Sequence, residues 1–247
     1  MKITRNSIVI SCLTLALAAC SSNDDDATDI VDPVDPPVTT GSPASFQITV
    51  TNMTTGQLMT PPVAAIHDAS VHLFEVGATA SDAIRNIAET GADAELVAFA
   101  TDPANAALVS GAGVIGDGPF AAGGQVTTTL ATENDAYVFS LVNMVICTND
   151  AIAGVDSVAL PATNEPLTLM AMAYDAGTRV NQSDNNSFFP PPCRSTDVVE
   201  APVEDPRQAI AAHAGQTGIT VPDTAPDGSN WDFAAGVPVM QIEIVRN

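Results

Sequence analysis

Two stretches of the chain set carboxylates and amides directly after apolar runs. Met144–Val158 reads MVICTNDAIAGVDSV, and Ala173–Asn186 reads AYDAGTRVNQSDNN. Calcium takes about six to eight oxygen ligands from carboxylates, carbonyls and amides, which proteins supply from strand ends and loops. Asp150 follows the apolar run Tyr137–Ile146, and Asp175 follows Leu167–Tyr174. If both runs are strands of one sandwich, the two aspartates emerge at loop starts and converge at one end. Carboxylates that face each other need a cation or a raised pKa. The competing reading is a pair of ordinary turns, because Asn, Asp and Gly supply turn geometry with no ion at all.

Other chemistries are poorly supported. Gly111–Gly116 spells GAGVIG, a G-x-G-x-x-G pattern. A dinucleotide site needs a helix directly after it and an acidic residue about 20 positions on. Asp117-Gly118-Pro119 breaks a helix there, so the stretch reads as a surface loop. His67 and His72 are five apart with no helix to bring them onto one face, and His213 is remote, so no zinc constellation is visible. There is no G-x-S-x-G elbow. Enzymatic activity is not expected; a hydrolase of a surface polymer would need an acid and base assembled only in space.

The elements that position the two stretches are strands. Phe46, Ile48 and Val50 alternate with Gln47, Thr49 and Thr51, and Met240, Ile242 and Ile244 alternate with Gln241, Glu243 and Val245. That period of two marks half-buried strands. Between them, strands are expected over Val71–Val76, Glu95–Ala100, Gln125–Leu130, Tyr137–Ile146, Asp156–Leu160 and Leu167–Tyr174, separated by Gly/Pro/Asn/Asp clusters. One helix is expected, with Ser81 as N-cap, Ile84, Ile87 and Ala88 on one face, and Gly91 past its end. The pattern predicts an all-β fold, an antiparallel eight-stranded β-sandwich with one short helix.

The start of the chain is of another kind. Lys2 and Arg5 precede an apolar run from Ile8 to Ala19, too short to span a bilayer. Residues 1–19 read as a signal peptide. Leu17-Ala18-Ala19-Cys20 resembles the lipobox of bacterial lipoproteins, which implies cleavage before Cys20 and lipidation of that residue. Ser21 rather than Asp follows the cysteine, which favours the outer membrane. Residues 20–44 then form an acidic, proline-rich tether with little to bury, and residues 45–247 form the domain.

The chain carries 29 acidic and seven basic residues, a formal charge of −22 at pH 7, and beyond Arg5 it has five arginines and no lysine. Phosphate contacts need Lys and Arg, so nucleic acid is excluded as a partner, and contact with a membrane is left to the lipid anchor. Beyond Cys12 and Cys20 only Cys147 and Cys193 remain. A lone pair in an exported chain reads as a disulfide, with metal binding by two isolated cysteines as the other reading.

Several pieces in order resemble the spondin N-terminal domain. They are Phe46–Thr51, Asn52-Met53-Thr54-Thr55-Gly56-Gln57, Pro61-Pro62, His67, Leu73-Phe74-Glu75-Val76-Gly77 and Ile87-Ala88-Glu89-Thr90-Gly91. Thr148-Asn149-Asp150, Gly154-Val155-Asp156-Ser157 and Tyr174-Asp175-Ala176-Gly177-Thr178 belong to the same series. The resemblance is to the bacterial lipoprotein branch. It implies a sandwich similar to a C2 domain with a calcium ion at loops of one end, and its ligand positions map onto Asp150 and Asp175. A third acidic ligand lies upstream, where Glu133 is the nearest candidate, and Asn149 stands where a carbonyl can join. Asn149 replaces a proline and Ala151 an aromatic of the animal pattern. Asp156 is expected to hold its turn through its own backbone, and His67 and Trp231 to pack.

The function expected from all this is a calcium-dependent binding or adhesion module. It would be lipid-anchored at the bacterial outer membrane, facing the periplasm or the outside, with an envelope or extracellular protein or glycan as ligand. A structural envelope component with no metal is the alternative.

Overall fold

Period-two alternation of Ile, Val and Phe with Thr and Gln builds the first strand, β1 (Ala44–Asn52), with Phe46, Ile48 and Val50 fully buried. The computed structural model describes residues 41–181, 193, 205, 207–217 and 231–247. The expected signal peptide, Cys20 and nearly all of the tether lie outside the described residues. Further along come β2 (Val63–His67), α1 (Asp82–Thr90), α2 (Ala94–Thr101), β3 (Val109–Val114), β4 (Gln125–Thr132), β5 (Val138–Met144), β6 (Ala151–Ala159) and β7 (Leu167–Asp175). Two-residue strands β8 (Ala211–Ala212), β9 (Gly215–Gln216) and β10 (Phe233–Ala234) precede the closing strand β11 (Met240–Arg246). Among the described residues no helix is long and apolar enough to cross a membrane.

The eight long strands are antiparallel, in the order β3-β2-β5-β6-β7-β11-β1-β4. β7 serves both halves of the resulting sandwich: Leu167–Ala171 pairs with β11, and Met172–Asp175 pairs with β6. At the other edge β3 approaches β4. A Cβ on Gly111 would stand 2.1 Å from the Ala131 carbonyl oxygen, so only glycine permits that approach. The two halves thus nearly close into a barrel.

Two cores follow. Between the halves lie Phe46, Ile48, Ile66, Phe139, Leu141, Ile242 and Ile244. On the outer face of β2, β5 and β6, a second core packs Val63, Val142, Met144 and Ile152 beneath Leu73, Phe74, Ile84, Ile87 and Leu96. β5 is therefore covered on both faces, and its sequence is correspondingly a near-continuous apolar run rather than an alternating one.

The fold class, the ends of α1 and five of the strands match expectation, while the strand expected at Asp156–Leu160 begins at Ala151. Ser81 caps α1 by accepting the Ile84 N–H, and Gly91 closes it at φ 70°. Three local readings are corrected. Glu95–Ala100 is helix rather than strand: its short apolar run has no decisive period, and Ala94, Leu96, Ala98 and Ala100 are good helix formers. Val71–Val76 is a loop that pairs with no strand: the Val71 N–H turns back to the Asp68 carbonyl, and the Leu73 N–H goes to the Asp156 side chain. Gly111–Val114, expected in a loop, forms most of β3.

Candidate functional site

The turn between β5 and β6 wires itself. The Thr148 hydroxyl donates to the Val145 carbonyl at 2.7 Å and accepts the Ala151 N–H at 2.9 Å. Cys147 within it is disulfide-bonded to Cys193, with Cα atoms 5.1 Å apart. Gln57 clamps the same turn: its Oε1 accepts the Cys147 N–H at 3.0 Å, and its Nε2 donates to the carbonyls of Cys147 and Trp231. The buried amide so joins three distant segments, and its product is a rigid platform for the next residues, Asn149 and Asp150.

Asp150 sits at the mouth of β6 opposite the end of β7, where Ala151 pairs with Asp175. There the Asp175 carboxylate makes a tight turn, its Oδ1 accepting the Gly177 N–H at 2.7 Å. Gly177 takes φ 66°, and a Cβ there would stand 2.7 Å from the Gln208 carbonyl oxygen, so glycine is required twice over. The turn aims two successive amides at Asp150. Its Oδ2 accepts the Thr178 N–H at 2.7 Å, the Arg179 N–H at 2.8 Å and the Thr178 hydroxyl at 3.2 Å. Its Oδ1 is buried and has no hydrogen-bond partner among the described residues.

Amides complete the cluster. Asn181 Nδ2 donates to Asp175 Oδ2 at 2.5 Å, and Asn149 Nδ2 donates to Asn181 Oδ1 at 2.9 Å. His213 lies close by and stacks on Phe233 with centroids 4.9 Å apart. Its Nδ1 accepts the Gly215 N–H, which puts the ring proton on Nε2, and burial pushes its pKa down against the opposing pull of Asp175. Burial, with the Asp175 charge second, pushes the Asp150 pKa up to about 6 despite the three hydrogen bonds on Oδ2. Taken together, the cluster presents a buried, unpartnered carboxylate oxygen beside a second carboxylate. That arrangement takes up a proton or a cation.

The donors are carboxylate and amide oxygens with no sulfur, which suits a hard cation such as calcium. Asp150, Asp175 and Asn149 are brought together, and the unpartnered Asp150 oxygen fits an ion. Glu133 is not with them. It follows β4 at the level where Thr132 faces Ala44, the first residue of β1, whereas the cluster lies beyond the other end of β1. At ~3.3 Å per residue the two ends are roughly 25 Å apart, so no single ion joins them. Its sequence position near the long strand misled because β4 and β5 run in opposite directions. Among the described residues no three His, Cys, Asp or Glu side chains converge on one point.

Sequence reading passed over Thr178, Arg179 and Asn181, whose only signal is their position just after the D-A-G turn. It also gave Asp156 only a backbone role, where the structure has a second carboxylate cluster. Asp156 lies within β6, and its side chain, not its backbone, does the holding: Oδ1 meets the Leu73 N–H at 3.1 Å and the Ser140 hydroxyl at 3.0 Å. Oδ2 accepts from His72 Nδ1 at 2.5 Å and the Ser157 hydroxyl at 2.9 Å. His67 joins this network, with Nδ1 donating to the Asp68 carbonyl and Nε2 2.7 Å from the Ser140 oxygen.

The family model described as Spondin_N matches residues 52–205, more than half of the chain and inclusive of both loop stretches. No curated protein matches the chain.

Proposed function

The chain belongs to the spondin N-terminal family, and from that premise we propose that it is an extracellular binding module with a calcium site at one end of its sandwich. Asp150 and Asp175 would hold the ion, with the Asn149 amide beside them. The observation that carries this reading is the buried Asp150 Oδ1, which has no partner among the described residues while Oδ2 has three. When bound, the ion supplies positive charge where two carboxylates meet. Thr178 and Arg179 hold the Asp150 carboxylate in one orientation, and Asn181 holds Asp175. The site shapes loops and carries out no reaction, and the module acts by binding.

The leading segment supports a further part of the proposal: lipidation at Cys20, export to the bacterial outer membrane, and a protein or glycan ligand met outside the cytoplasm. The acidic tether would give the domain reach from that surface.

The test is thermal melting of the purified protein in EDTA and in millimolar calcium, with magnesium as control. A ligand that binds only the folded state stabilises by about 2.7 kcal/mol at a hundredfold excess over its dissociation constant. A calcium-selective rise that disappears in Asp150→Ala and Asp175→Ala supports the site. A flat response, or an equal one to magnesium, leaves a metal-free envelope component. That second reading has its own support, since both Asp175 oxygens already accept amide protons.

A further inference from the structure

The last turn of α1 carries Glu89 and no basic residue. An acidic side chain there faces the negative end of the helix dipole, so α1 on its own would disfavour it. Glu89 instead reaches the Arg179 guanidinium at 2.5 Å, with both side chains largely buried. Arg179 is the residue whose backbone N–H holds Asp150 Oδ2. One residue thus grips the helix with its side chain and the carboxylate with its main chain.

Resting on the calcium reading above, we propose that Glu89 is a positioning residue of the cation site, and that the Glu89–Arg179 pair couples occupancy of that site to the docking of α1. The Asp150 carboxylate keeps Oδ1 available only while the Thr178 and Arg179 amides stay on Oδ2. Those amides belong to a segment that follows a glycine turn, and the Arg179 side chain ties that segment to the helix through Glu89. Coupling between two sites is reciprocal. An ion that fixes Asp150 therefore tightens the seat of α1, and loosening α1 weakens the ion.

The test uses the full-length protein and a paired variant, Glu89→Gln with Arg179→Gln. The pair removes both charges of a buried bond together and leaves the backbone N–H at 179 in place. Calcium affinity is read by titration calorimetry, and hydrogen exchange of the amides of Asp82–Thr90 is read with and without calcium. The expected result is a dissociation constant raised at least tenfold in the variant. Calcium should also slow exchange of α1 in the wild type and not in the variant. An unchanged dissociation constant, or α1 exchange indifferent to calcium in the wild type, overturns the coupling. Absence of any calcium binding by the wild type overturns the site itself, and is seen before the variant is made.

Discussion

Asp150 and Asp156 lie six residues apart, one at the mouth of β6 and one within it, and the structure treats them in opposite ways. Asp156 meets four donors from three segments and spends both oxygens on holding the loop before α1 against β6. Asp150 is more deeply buried, yet all of its donors crowd onto one oxygen. A buried carboxylate whose every lone pair is occupied works as a clamp. One that is buried and half-satisfied is an electrostatic liability unless something else arrives. The contrast separates a fully satisfied acid from a half-satisfied one in a chain where 29 acidic residues make counting useless.

The comparison breaks most visibly at Asp156. Asp156→Ala strands the Leu73 N–H and the Ser140 hydroxyl, at about 1–3 kcal/mol for each buried group left unsatisfied. A loss of about 4 kcal/mol in a denaturant titration is expected, the same in EDTA and in calcium. A loss that calcium repairs would mean that the two acids are one system.

Asp150 should respond in the opposite sense. Its folded pKa, at about 6, stands above the usual 3.8. Protonated in the folded state between those values, it costs nothing at pH 4. Without metal, stability then falls as pH rises through about 4 to 6, by an amount on the order of 3 kcal/mol. Asp150→Asn should remove that slope and leave the metal-free protein no less stable at pH 7.5, while abolishing any gain from calcium. Melting curves across pH in EDTA check it, and a stability that rises over the same range contradicts it.

The smallest effect is expected at His72, whose pKa is raised chiefly by its hydrogen bond to Asp156. The contribution of its charge is fully present below the unfolded value of 6.5 and is lost as pH rises through the raised folded value. His72→Gln should flatten that shallow slope. The side chain is 42% exposed, so solvent screens most of the effect. A titration of the ring by NMR that shows no upward shift would remove His72 from the clamp.

How much was legible varied with the range of the interaction. Asp150 and Asp175 were readable because each follows an apolar run and sits among turn residues, a local signal. The ends of α1 were readable because Ser81 and Gly91 act within one turn. The segment Glu95–Ala100 was not, since a short apolar run carries no period that separates helix from strand. Glu133 was placed by spacing along the chain, and antiparallel reversal carried it to the far end. Asp156 was read as holding its turn through its backbone, and its side-chain role stayed hidden because its partners Leu73 and His72 come from more than 80 residues upstream.

The amino-acid pattern by itself determined the alternating strands at the two ends of the domain, the capped helix, and the place of Asp150 and Asp175 beside strand ends. All of these arise from neighbours within a few residues, where propensity and periodicity act. Only the tertiary structure decided which oxygen of Asp150 has no partner among the described residues and which residue of α1 meets Arg179. Those facts depend on groups from β6, the β7 turn and α1 meeting within hydrogen-bond distance, and such distances are set by how the two cores pack.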